Sequence, residues 1–176
     1  YDTVNCIKFD SMFENCKSLT EIPLFDTSNM ISANYMCRSC QKVVTFPDFD
    51  LSELRLGKGM FCACSAMKTI PNYDLTNLLL GSEMFSMCTN ITTTPHFHFD
   101  TLDNGSQMFK GCTALSSVPA YTLPSISNMD EMFAGCTALT TTPSFTGCSK
   151  LTSMGATFEG CIKLNSVGLF DTSKVT

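Results

Sequence analysis

Seven cysteines recur at near-constant spacing: Cys16, Cys40, Cys64, Cys88, Cys112, Cys136 and Cys161. Brought together, such a column could hold a metal, form a ladder of disulfides, or pack as small apolar side chains, since free cysteine is among the most buried residue types. Pairing alternate rungs would distort an even stack, so the column is expected to be buried and reduced. Cys37 and Cys40, with Cys62 and Cys64, are four sulphurs in two close pairs and raise the question of zinc. Cys37, Cys40 and Cys64 fall in inward slots and Cys62 beside one, so the four are not expected to converge. His96 and His98 flank Phe97 and lack a third ligand nearby, which makes an exposed polar loop the simpler reading. Asp2, Asp26, Asp50 and Asp74 share one slot, and Asp171 returns to it. A row of carboxylates could gather Ca²⁺, with Asp26, Asp50 and Asp74 as the alternative metal set. The expected role is local: each Asp accepts a hydrogen bond from the backbone two residues on. No metal or cofactor is expected.

The elements that must position these groups come from a repeat. Met-Phe recurs at Met12-Phe13, Met60-Phe61, Met84-Phe85, Met108-Phe109 and Met132-Phe133, with Met36-Cys37 and Thr157-Phe158 filling the remaining steps. The period is 24 residues, with one 25-residue step near Gly147-Cys148. Three residues after each Cys stands an aliphatic residue, from Leu19 to Leu164. Pro follows four later, from Pro23 to Pro143, then an aromatic: Phe25, Phe49, Tyr73, Phe97, Tyr121, Phe145 and Phe170. A further apolar slot runs Cys6, Met30, Leu54, Leu78, Leu102, Ile126, Leu151 and Val175. Apolar spacings of three suit coils wound about a common core rather than an amphipathic helix, and a proline in nearly every coil excludes a long helix there. The period lies in the leucine-rich-repeat range. The predicted fold is a leucine-rich-repeat-like solenoid of about seven coils, starting near Met12, Met36, Met60, Met84, Met108, Met132 and Thr157. Each coil is expected to carry a short parallel strand near the Leu19–Pro23 position and a turn near the Met12–Cys16 position. Residues 1–176 read as one array. Both ends fall in mid-coil with no capping segment, so the array is expected to be a slice of a longer protein.

The segment Met12 to Ser28 (MFENCKSLTEIPLFDTS), with Met108 to Val118 and Met132 to Leu139, resembles the BspA-like leucine-rich repeats of bacterial surface proteins. That resemblance implies an extracellular or surface-attached protein engaged in adhesion.

Composition narrows the classes further. A net charge of -5 with 11 Lys+Arg makes a nucleic-acid partner unexpected. No stretch approaches the roughly 20 apolar residues of a membrane span, so no membrane insertion is expected. No nucleophile elbow, P-loop, dinucleotide fingerprint or HExxH motif occurs, and the chain does not read as an enzyme. Between the aliphatic and Pro slots lie polar, mostly hydroxyl-bearing positions: Thr20, Glu21, Thr45, Lys68, Thr69, Thr92, Thr93, Ser116, Ser117, Thr140 and Thr141. They suit the exposed side of strands and form the candidate binding face for a protein or glycan. The alternative is a purely architectural spacer or fibre segment in a cell-surface or virion appendage.

Overall fold

The structure, a computed structural model, describes residues 2–168 and Val175. It is a repeat fold in which each copy of the motif hydrogen-bonds in parallel to the next. Parallel bridges join Lys8 to Ser32, Ser32 to Leu56, Leu56 to Leu80, Leu80 to Asn104, Asn104 to Asn128 and Asn128 to Ser153. The steps are the sequence period, so equivalent residues lie side by side. No helix long and apolar enough to cross a membrane occurs among the described residues.

The core follows the spacing of the motif. Met36, Met60, Met84, Met108 and Met132 are fully buried, as are Val43, Met67, Ile91, Leu115 and Leu139. Phe61, Phe85, Phe109, Phe133 and Phe158 form one continuous stack with ring centroids 5.4–5.6 Å apart. The second aromatic slot is also inward at Phe49, Tyr73, Phe97, Tyr121 and Phe145, and its rings lean on the first stack. Small residues make room for large ones: a Cβ added to Gly81 would lie 2.5 Å from the Met108 terminal methyl.

The strands differ from expectation. Among the described residues only β1 (Tyr121–Thr122) and β2 (Phe145–Thr146) form, paired in parallel, and they sit at the aromatic slot. Near the Leu19–Pro23 position the described residues form single bridges rather than strands, Thr93 to Ser117 and Thr141 to Ser166. Proline has no N–H to give a ladder, which limits strand length there.

The turn at Met-Phe-x-x-Cys is present and carries most of the coil-to-coil bonding. Its N–H groups alternate in direction. Those of Gly81, Glu83, Phe85 and Met87 donate to the carbonyls of Asn104, Ser106, Met108 and Lys110 in the next coil, at 2.7–3.0 Å. Those of Met84, Ser86 and Cys88 fold back to Gly81, Glu83 and Phe85. Alternation needs left-handed backbone at two places per coil, as at Glu83 (φ 60) and Met87 (φ 60). A non-glycine residue there costs about 1–2 kcal/mol, and the inter-coil bonds offset it.

The first coil is less covered. Cys16, Cys6 and Met12 are exposed, and Phe13, Leu19 and Phe25 are half-buried, against the expectation that these slots are inward throughout. Cys16 has a neighbouring rung on one side only. Tyr1, Phe170 and Asp171 lie outside the described residues.

Candidate interaction face

Inward anchors dictate what faces outward. In the fifth copy Leu115 is buried and Val118 half-buried, leaving Ser116 and Ser117 on the surface between them. The same arithmetic exposes all eleven nominated residues: Thr20, Glu21, Thr45, Lys68, Thr69, Thr92, Thr93, Ser116, Ser117, Thr140 and Thr141. Backbone bonds hold part of this row in register, from Ser116 N–H to the Thr92 carbonyl (3.0 Å) and from Asn165 N–H to the Thr140 carbonyl (2.9 Å). Some hydroxyls are engaged within the array. Ser116 donates to the Thr92 carbonyl at 3.2 Å, and Ser166 to the Thr141 hydroxyl at 2.8 Å. Two open grooves cross the row. One is lined by Thr69, Ile70, Thr93, Thr94 and Pro95, the other by residues that include Glu21, Leu24, Thr45 and Phe46.

The aspartate row caps turns. The Asp26 carboxylate accepts from Ser28 N–H (2.9 Å) and hydroxyl (2.6 Å). Asp50 repeats this with Ser52, and Asp74 accepts from Thr76 N–H at 3.0 Å. Asp2 accepts from Val4 N–H at 3.2 Å. These bonds favour the charged form and hold the Asp26 and Asp74 carboxyls below the usual value. His96 and His98 are both exposed, with ring centroids 5.5 Å apart. Among the described residues, no three His, Cys, Asp or Glu side chains converge as metal ligands would.

The cysteine column is buried from Cys40 onward and all eleven thiols are free. Each rung has a polar partner that sequence reasoning missed. The Cys64, Cys88, Cys112 and Cys136 thiols donate to the carbonyls of Cys37, Phe61, Phe85 and Phe109, one coil back, at 3.1–3.2 Å. The same carbonyls accept an N–H within their own turn, so each uses both lone pairs. Burial raises the thiol of Cys40 to about 11 and that of Cys136 to about 12. Cys62 is not a member of the column yet is buried too, beside Arg38 and Ser86.

A second outward row also escaped the sequence. Tyr35 lies flat over Gly59, where an added Cβ would meet its ring at 2.6 Å. Arg38 and Lys58 approach that ring, 5.2 and 5.8 Å from its centre, and pair with Glu14 and Glu83 at 3.6 Å. Lys110 pairs with Glu131 in the same region. The signal was present in Gly59 alone, the single glycine in its slot. Chemically, both rows offer hydrogen bonds, charge and one aromatic face rather than a nucleophile.

Comparison with known proteins follows the repeat. No curated protein matches the chain. Among solved structures, a leucine-rich repeat protein from Bacteroides ovatus is similar at 14% identity over 94% of this chain and 71% of that one, with a TM-score of 0.32. A leucine rich cell surface protein from Faecalibacterium prausnitzii is similar at 15% identity over 94% of this chain and 70% of that one, also with a TM-score of 0.32. The sequence model of one family, described as Mycoplasma protein of unknown function, DUF285, matches residues 1–99 and 103–176. DUF285 is a BspA-associated repeat family, in agreement with the resemblance carried by the Met-Phe-x-x-Cys motif. With nearly every residue inside that match, the chain belongs to the DUF285 family.

Proposed function

We propose that the chain is a leucine-rich-repeat-like stack of about seven coils, displayed at a cell surface or outside the cell, that binds a protein or glycan along its Thr/Ser face. The observation that carries this reading is the uninterrupted exposure of Thr20 through Thr141 in one row, two positions wide. Repetitive coils give a long, shallow surface suited to extended partners rather than small substrates. Surface display rests on the BspA-like character of the repeat. An architectural spacer is the second reading, favoured by the Ser116 and Ser166 hydroxyls, which bond within the array.

The test is a glycan array together with a panel of extracellular-matrix proteins, probed with the wild type and with a Thr69→Glu, Thr93→Glu, Ser117→Glu variant. Saturable binding by the wild type that the variant loses supports the interaction module. Binding that the variant retains places the contact elsewhere. No binding by either protein favours the spacer.

A further inference from the structure

The stretch that leads into each turn alternates inward and outward. Leu54, Leu78 and Leu102 are fully buried, so Glu53 and Arg55, Asn77 and Leu79, and Thr101 face outward on adjoining coils. These five line a recess of about 200 Å³ across the third, fourth and fifth copies. Two of them break the pattern of the repeat. In the Glu53 slot, other side chains reach back to a backbone carbonyl of the coil before. Asn29 donates to Val4 and Asn77 to Ser52 at 2.8 Å, Thr101 to Thr76 at 3.1 Å and Ser125 to Asp100 at 3.0 Å. An ionised carboxylate has no hydrogen to give, so Glu53 cannot make the equivalent bond to the Ser28 carbonyl. In the Arg55 slot the neighbouring coils carry Ile31 and Leu79. Among the described residues, neither the Glu53 nor the Arg55 side chain makes a hydrogen bond or an ion pair. The other polar groups are already oriented. Asn77 engages its amide nitrogen with Ser52, and Thr101 directs its hydroxyl hydrogen at the Thr76 and Leu78 carbonyls, both at 3.1 Å. Asn77 Oδ1 and Thr101 Oγ1 are left as acceptors. The recess thus combines three acceptors, an aliphatic surface at Leu79, and one cation, Arg55.

We propose that this recess binds an extended protein segment in which a lysine and an acidic residue stand two positions apart. A lysine ammonium has three donors and no acceptor, which matches the Glu53 carboxylate, Asn77 Oδ1 and Thr101 Oγ1, while its methylene stem covers Leu79. In an extended chain, residues two apart point the same way and lie about 6.5–7 Å from each other. Glu53 and Arg55 have that same two-residue separation, so the acid of the partner meets the Arg55 guanidinium. A polyanionic partner would bring no cation for Glu53, and a neutral glycan would leave both charges unpaired, so a segment carrying both signs is the occupant that the charges select. One group works against the acid. Asp103 stands two coils on in the Arg55 slot, outside the lining of the recess, and its charge keeps the Arg55 contact the weaker of the two. The recess occupies slots of the coil apart from the Thr/Ser row, and the proposal stands independently of that face.

Fluorescence anisotropy of a labelled peptide, Thr-Val-Lys-Val-Glu-Val-Thr, titrated with the 176-residue chain at low salt, tests it. Binding should saturate and should weaken as salt is raised. Glu53→Gln should weaken it about tenfold, and Arg55→Gln by less. The new amide of Glu53→Gln can donate to the Ser28 carbonyl, as Asn77 does to Ser52, so this variant should keep its fold, which circular dichroism checks. Arg55→Glu should shift the preference to a peptide with lysine in both charged positions. The Thr69→Glu, Thr93→Glu, Ser117→Glu variant should bind the peptide as the wild type does, which separates this recess from the Thr/Ser face. Absence of saturable binding by the wild type overturns the proposal. So does equal binding of a peptide with glutamine in both charged positions, or binding indifferent to Glu53→Gln.

Discussion

Truncating the central ring stack should be far more damaging than truncating its edge. Phe109 is fully buried and sits between Phe85 at 5.6 Å and Phe133 at 5.4 Å, nearly parallel to both. Phe109→Ala removes a whole ring from a packed site, which costs about 3–5 kcal/mol, including the loss of two ring contacts of about 0.5–1.5 kcal/mol each. Phe13 fills the same slot in the first coil. It is half-buried and its one ring neighbour among the described residues, Phe25, is tilted at 6.2 Å, so Phe13→Ala should cost about 1–2 kcal/mol. For a chain of this size the central change corresponds to a fall of about 6–20 °C in melting temperature. Because coils touch only their neighbours, unfolding need not be two-state. Urea unfolding followed by circular dichroism should therefore be paired with amide exchange, which should show the loss concentrated in the coils of Phe85, Phe109 and Phe133. Equal destabilisation by the two variants, or protection lost evenly along the chain, would refute the neighbour-limited stack.

Thiol chemistry should divide the cysteines: Cys6 and Cys16 should react with a maleimide in the native chain at neutral pH, and the nine buried thiols only in denaturant, as mass spectrometry can count. The buried thiols also set an alkaline limit. Their folded values are raised, so the stability they support is intact below the unfolded value of about 8.5 and declines as pH rises toward about 11 and 12 for Cys40 and Cys136, readable as a falling urea midpoint. At the acid end the sign reverses. The Asp26 and Asp74 carboxyls are held low by Ser28 and Thr76, so their contribution is present above about pH 3.9 and is lost as pH falls through their lower folded values; Asp26→Asn with Asp74→Asn should flatten that part of the profile. Gly135→Val should cost about 1–2 kcal/mol or more in urea unfolding, since Gly135 has φ 74 and a β-branched residue is strained there.

What could be read in advance was the part written in residue types. Phe109, Cys112 and Leu115 announce an inward wall because their spacing repeats and their chemistry does not vary. The exposed face followed from it, since Ser116 and Ser117 must point away from whatever anchors flank them. The backbone path was hidden for the opposite reason. The left-handed positions hold Ser11, Tyr35, Gly59, Glu83, Gln107, Glu131 and Ala156 in one slot, with no shared chemistry beyond tolerance of a strained φ. Ladder position was legible in part: the Thr93–Ser117 and Thr141–Ser166 bridges fall where strands were expected, whereas the longer series of bridges runs through Lys8, Ser32 and Leu56, where the alternating turn begins. Hydroxyl use along the candidate face depends on sub-ångström spacing between coils, which no single-chain pattern encodes.

The one-way bonding of the turn has an electrostatic consequence. Between the fourth and fifth copies, four peptide N–H groups point forward along the array, from Gly81, Glu83, Phe85 and Met87. On the adjoining edges, the N–H groups of Asp103 and Asn104 point back to a single carbonyl, that of Leu79, and that of Ser116 to the Thr92 carbonyl, three against four. The forward set prevails, so peptide dipoles add along the axis with the positive pole toward the C-terminal coils. An α-helix has the opposite sense, positive at its N-terminus. Lengthening such an array would strengthen a field that draws cations toward its first coil and anions toward its last, and rotation in an applied electric field should increase with the number of coils.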